Sequence, residues 1–423
     1  MTLKKEQYCD PFKVFAGLVN RGYPVKLFLD SCLVHPKTGR FSLIAVGEVE
    51  RFSEKDSDDD PFKGLSKFFE NVKRKYWNGD KTFFGIFGFV SYDALRYIEK
   101  VSLPSVDDLK MPDIFFFVPE NLIVFDNISR VCFQVFLNKP INLLSDSEIF
   151  GDFSAEFLKT NMGKDEFVEK VRKIKRYIES GDTFQVNFSQ RFDFSFKGNG
   201  AVLYQRLRSI NPSPFSFYMK VEDFEIISCS PERLFRISDG TIETRPIAGT
   251  RPPKKRNELY LSEKERAEHI MLVDLERNDL GRICEYGSVV VDELMTVESY
   301  SHVVHLVSNI RGTLKKEVGI SDVFKSMFPG GTITGAPKVR TMEIISELEP
   351  TRRGLYTGSV GFWSFSGYAD FNIVIRTLIR RESFAFLQVG AGIVWDSEPE
   401  REFEETVQKG KALTEAMGVI IKV

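Results

Sequence analysis

Apolar positions recur along this chain in two rhythms, and each marks a kind of element. Phe12, Phe15, Leu18 and Val19 follow a helical spacing, and Asp10-Pro11 ahead of them supplies a cap and a first-turn proline, predicting a first helix. Asp60-Pro61 opens a second in the same way, running to about Tyr76. Phe167, Val171, Ile174 and Ile178 repeat the helical spacing and Gly181 closes it. Two more helices are read over 263–275 and 400–417. Runs of β-branched and aromatic residues predict strands at 25–29, 40–46, 83–90, 113–118, 122–125 and 131–137. Others follow at 183–191, 215–220, 224–230, 233–238, near 289–297 and 301–311, and at 359–365, 369–377 and 384–389. The pattern is α+β with mostly antiparallel sheets.

Between 138 and 164 the apolar pattern loosens around Pro140, Gly151 and Gly163, which suggests a boundary between two regions, 1–140 and 165–420. No short repeat is visible. The acidic run 54–60 lacks the ligand spacing of an EF-hand and reads as a solvated turn.

Composition narrows the class. With 423 residues, 42% hydrophobic and 28% charged, the chain can bury a large core, and its 39 phenylalanines read as core filling. A net charge of -2 gives no polyanion footprint, so nucleic acid is not expected as a partner. No apolar run reaches the roughly eighteen residues that cross a bilayer, and the start carries charges instead of a signal-peptide core. The expectation is a soluble, cytoplasmic protein without a membrane partner. Five dispersed cysteines without C-x-x-C spacing argue against a disulfide framework or a zinc site.

Two acidic segments invite a chemical reading. Glu265 and Glu268 stand three apart, as do Glu402 and Glu405, with Lys409 a turn later; on helices each set shares one face. Alone, each is a solvated helix face. Together they suit a hard divalent ion such as Mg²⁺, which takes one or two carboxylates plus substrate oxygens. Ser230-Pro231-Glu232-Arg233 sets a carboxylate beside proline at a strand edge. Residues 246–251 (PIAGTR) form a small-residue turn, and 329–338 (PGGTITGAPK) holds the glycines, hydroxyls and lysine of an anion-holding loop without Walker-A order. The glycines of 389–393 (VGAGI) alone are a tight turn.

In that order, the segments SPERLF, PIAGTR, EKERAEHIMLVDLERNDLGR, SHVVHLVS, PGGTITGAPKVRTMEIISELEP and GAGIVWDSEPEREFEETVQKGKAL resemble the chorismate-utilising enzymes, specifically the synthase subunits that aminate chorismate. Residues 1–140 match the anthranilate-synthase-I-like N-terminal region more loosely, at FLDS…GRFSLIA and FGFVSYD; 165–420 match the chorismate-binding catalytic region. The resemblance implies two packed antiparallel sheets with helices outside, the halves of the chain interleaved. It implies Mg²⁺ on Glu268 and Glu405, with Glu265 and Glu402 close behind, and Glu232 as the general acid for a departing ring hydroxyl. It further implies His305 beside the leaving group, and Tyr356, Arg376, Gly390, Ala391, Gly392 and Lys409 around the substrate carboxylates. Thr250 and Thr332 are implied hydroxyl contacts, and strand or turn packing is the alternative for both.

Within the family, water-adding members carry a base-forming lysine where this chain has Gln185, which favours an aminating enzyme. Ala248 stands where many aminodeoxychorismate synthases have lysine, as in anthranilate synthases. Against it, Gln185-Val186-Asn187, Tyr356-Thr357-Gly358-Ser359, Asp370-Phe371-Asn372-Ile373 and Phe28-Leu29-Asp30-Ser31 point to aminodeoxychorismate synthase component I, in para-aminobenzoate and folate synthesis. The expected partner is a glutamine amidotransferase subunit that supplies ammonia. The alternatives are an anthranilate synthase component I and a non-enzymatic chorismate- or tryptophan-binding regulatory subunit; the intact acidic pairs and Glu232 weigh against the last. A tryptophan pocket of the anthranilate synthase kind would involve Ser31, Asn211, Pro212 and Phe215.

Overall fold

The computed structural model describes residues 1–35, 37–57, 60–80, 82–251, 254, 263–299 and 304–422. The Asp-Pro signals act as expected. Helices Pro11–Asn20 and Pro61–Tyr76 each begin on an aspartate whose carboxylate accepts from two backbone N–H groups of the first turn.

Among the described residues, twelve strands form one antiparallel sheet and ten form a second. Neither sheet belongs to one half of the chain. Strand Val25–Asp30 pairs with Phe215–Val221 in the first sheet, and Gly85–Val90 pairs with Ser359–Ser364 in the second. The region between 138 and 164 holds strand Phe153–Thr160, which pairs with Gln185–Gly198. Its burial alternates along its length, a pattern hidden by the glycines on either side.

The sheets pack face to face over a phenylalanine-rich core. Phe87, Phe89 and Phe362 of the second sheet face Leu27, Phe217, Met219 and Ile226 of the first, all nearly inaccessible. Phe116, Phe235 and Phe371 lie on the second sheet's other face, against Phe324 of helix Ile320–Met327. Phe87 stacks on Phe362 with ring centroids 5.4 Å apart, and Phe235 lies 5.2 Å from Phe371. Helices Pro11–Asn20, Gly200–Ile210 and Pro399–Met417 cover the outer face of the first sheet.

Strand alternation decides what faces the gap between sheets. In Phe384–Ile393, residues Ala385, Leu387, Val389, Ala391 and Ile393 join the apolar layers under the helices. Phe386 turns the other way, toward the intersheet core, so Gln388, Gly390 and Gly392 share its side. Asn187 pairs with Gly392 and Ser189 with Gly390, so Gln185, Asn187 and Ser189 share that face as well.

Several further regions differ from the reading of the sequence. The stretch expected as one strand, 369–377, is two, Ala369–Asn372 and Thr377–Arg381; the chain turns between them with Arg376 at φ 51. The helix expected to end at 275 continues as Glu263–Ile283. Helices Gly200–Ile210, Ile320–Met327 and Lys338–Leu348 were not expected as elements.

Candidate active site

The centre of the site is Glu232, at the turn between strands Phe224–Ser230 and Arg233–Ser238. Its backbone is fixed from both sides: its N–H donates to Ser230 Oγ at 3.4 Å and its carbonyl accepts from Ile373 N at 3.0 Å. The side chain is buried, and burial pushes its pKa up to about 7. The Thr332 hydroxyl, the charges of Arg376 and Lys409 and the Ile247 N–H act in the opposite sense. The result is a carboxyl poised to be protonated near neutral pH. The approach of Thr332 stops short of a formed hydrogen bond, because Glu232 Oε1 and Thr332 Oγ1 both lack a partner. Buried polar atoms left unpaired in this way mark a surface built for a ligand.

The sequence-expected residues come to this point from distant parts of the chain. Arg376, in the left-handed turn, is close enough for its charge to act on both Glu232 and His305. Among the described residues it forms no ion pair. His305, on strand Val304–Thr313, is buried, and burial lowers its pKa, with the Arg376 charge acting in the same sense. Its Nδ1 lies 3.0 Å from the Gly249 carbonyl. A carbonyl only accepts, so Nδ1 carries the proton and Nε2 of the neutral ring is an acceptor. Lys409 Nζ donates to the Gly390 carbonyl at 3.0 Å and pairs with Glu405 at 2.8 Å.

Lys409 also leads to the bare strand of Gly390 and Gly392. A Cβ at Gly390 would stand 2.6 Å from Asn187 Oδ1 and 2.8 Å from the Tyr356 hydroxyl; at Gly392 it would stand 2.7 Å from Gln185 Nε2. Glycine is required here by close approach, since backbone, two amides and a phenol share one small space. Tyr356 is buried and its pKa raised by burial, so its hydroxyl stays protonated. Gln185 Oε1 and Asn187 Oδ1 are buried without partners. Ala391, expected at the substrate, turns its methyl into the apolar layer with Phe188 and Ile393; only its backbone faces the strand partner. Ala248 lies on strand Ile247–Arg251 opposite Leu306, and Thr250 pairs in register with His305, its side chain outside the described residues.

The acidic segments occupy helices Glu263–Ile283 and Pro399–Met417, with Glu265 and Glu268, and Glu402 and Glu405, one turn apart on each. Among the described residues no three His, Cys, Asp or Glu side chains stand together as a ready cage. The donor set is all carboxylate oxygen, which fits a hard ion completed by ligand and water oxygens. Sequence reading passed over Glu276, on the buried side of the same helix beside Gly331. Its Oε2 has no partner, and burial, with Asp279 and Glu232 nearby, raises its pKa. Its position four residues after Leu272 and four before Leu280, on an apolar face, was the available signal.

A cavity lies beyond Arg233, between the sheets, lined by Leu29, Ser31, Phe41, Phe215, Phe362 and Asp370 among others. Ser31 and Phe215 line it. Asn211 and Pro212 do not line it, because Asn211 ends helix Gly200–Ile210 and its amide turns to Cys229 Sγ at 3.3 Å.

The family model of the chorismate binding enzyme matches residues 30–415. This chain belongs to that family. Among curated relatives, aminodeoxychorismate synthase component 1 of Bacillus subtilis (strain 168) is 42% identical over 90% of this chain and 89% of its own. Anthranilate synthase component 1 of Aquifex aeolicus (strain VF5) is 38% identical over 97% of this chain and 92% of its own. Among solved structures, anthranilate synthase component I from Streptococcus pneumoniae TIGR4 superposes with a TM-score of 0.78 at 34% identity, covering 90% of this chain and 93% of that one. The menaquinone-specific isochorismate synthase MenF from Escherichia coli shares the fold, with a TM-score of 0.77 at 18% identity over 98% of this chain and 94% of that one. The α+β fold of two antiparallel sheets is the one these neighbours share.

Proposed function

We propose that the chain converts chorismate and ammonia to 4-amino-4-deoxychorismate. The observation that carries this reading is Glu232: a buried carboxyl near neutrality, unpartnered at Oε1, flanked by the cations Arg376 and Lys409. The cations suit the two carboxylates of the substrate, and the acid suits a ring hydroxyl. Glu232 gives its proton to the C4 hydroxyl, which leaves as water. The nitrogen lone pair forms the new C–N bond, and the surplus proton on nitrogen is lost. His305, with Nε2 as acceptor, orients the hydroxyl side of the ring. Gln185 holds no basic nitrogen to activate water, whereas ammonia is a nucleophile as it stands. Mg²⁺ held by Glu268 and Glu405, with Glu265 and Glu402 behind them, would neutralise a substrate carboxylate.

The relative from Bacillus subtilis supports this product, and its name, component 1, supports a partner subunit that delivers ammonia from glutamine. Ala248 favours a second reading, anthranilate plus pyruvate, because no lysine amine is available there for a covalent intermediate. Incubating the pure protein with chorismate, Mg²⁺ and an ammonium salt tests the reading. Consumption of chorismate that requires ammonium supports it, and consumption with water alone contradicts it.

A further inference from the structure

The amide of Asn187 is held in one orientation at the floor of the site. Its backbone N–H donates to the Thr334 carbonyl at 2.7 Å, and its carbonyl accepts from Arg353 Nη2 at 2.7 Å. Its side-chain Nδ2 faces the Thr332 carbonyl at 3.4 Å. Turning the amide over would bring two oxygens together, so Oδ1 is left pointing toward the glycine strand, where a Gly390 Cβ would stand 2.6 Å away. That oxygen is buried and has no partner. Gln185 Oε1, two residues earlier on the same strand face, is in the same condition. Unpaired buried acceptors two residues apart on one strand face suit a ligand that is rich in donors.

Chorismate is not that ligand. It brings two carboxylates and an ether oxygen, all acceptors, and one relevant donor, a hydroxyl, which falls to Glu232 and His305. Its anionic groups belong with Arg376 and Lys409, and an acceptor placed against them would repel. Ammonia offers three N–H donors and keeps its lone pair free to attack. We propose that Asn187 is the nucleophile-binding residue of this site, its Oδ1 accepting an N–H of ammonia with Gln185 Oε1 beside it. This rests on the amination reading above and adds the place where the nucleophile waits.

The test is steady-state kinetics of Asn187→Val on the full chain, varying ammonium at saturating chorismate and the reverse, at one fixed pH, with thermal melting to show that the variant is folded. Asn187→Ala, smaller and free of any clash, is the second variant and carries the same expectation. The KM for ammonium should rise about tenfold or more while the KM for chorismate stays within about threefold. If both KM values are unchanged, or chorismate KM moves as far as ammonium KM, the nucleophile site is wrong while amination stands. If the wild-type chain does not use ammonium at all, the amination reading and this site fall together.

Discussion

Arg353 donates from Nη2 to the carbonyl of Asn187 at 2.7 Å while the same guanidinium forms a two-point ion pair with Glu349, at 2.7 and 2.9 Å. Both side chains are almost wholly buried. Glu349 in turn accepts from Ser189 N and Oγ, and Arg353 also donates to the Ile333 carbonyl and the Thr357 hydroxyl. One ion pair thus ties together the strand of Gln185, the loop of Thr332 and the turn of Tyr356. Removing one partner leaves the other charged and buried, which costs about 3–5 kcal/mol. Arg353→Met should lower stability by that order in denaturant titration and also reduce turnover of the molecules that remain folded.

Glu232 gives a pH prediction with a definite sign. The group must be protonated to donate, so kcat/KM should fall as pH rises through about 7. Glu232→Gln should lose about 100-fold or more in turnover. Stability moves in the same sense: with its pKa raised above the unfolded value, Glu232 binds its proton more tightly when folded. That contribution is fully present below about pH 4.5 and is lost as pH rises through about 7. Glu232→Gln should therefore match the wild type near pH 4 and exceed it at pH 8 by about 1–3 kcal/mol, read from melting curves.

The glycine strand makes a steric prediction. Gly390→Ala places a methyl against Asn187 Oδ1 and the Tyr356 hydroxyl. It should cost about 100-fold in kcat/KM, because displacement of about 1 Å in a site costs that much. Circular dichroism should show the fold retained.

Much of this architecture was legible in the sequence and some was not, for physical reasons. The Asp-Pro helices at 11 and 61 were readable because cap, proline and apolar spacing are all local. Strand Phe153–Thr160 escaped because it sits on a sheet edge with exposed polar positions between glycines. The break at Arg376 escaped because a left-handed arginine is imposed by tertiary packing and leaves no local signature. At the site, the residues carried by motifs, Glu232, Arg376, Lys409 and Gly390, were readable. The cradle was not: Asn187 meets Thr332 across 145 residues, and Arg353 reaches Asn187 across 166. Ala391 lies within its motif, but strand alternation sends its side chain away.

Glu268→Gln tests the carboxylate set. Turnover should drop by about 100-fold or more, and the Mg²⁺ concentration for half-maximal rate should rise, because a neutral amide holds a hard cation poorly. Unchanged activity and Mg²⁺ dependence would remove Glu268 from the site.

The most direct test of the central claim is the mass of the product. The pure chain, incubated with chorismate, Mg²⁺ and an ammonium salt and resolved by liquid chromatography and mass spectrometry, should yield 4-amino-4-deoxychorismate with the pyruvyl group still attached. Release of pyruvate with anthranilate would contradict the account and assign the site to the other aminating reaction.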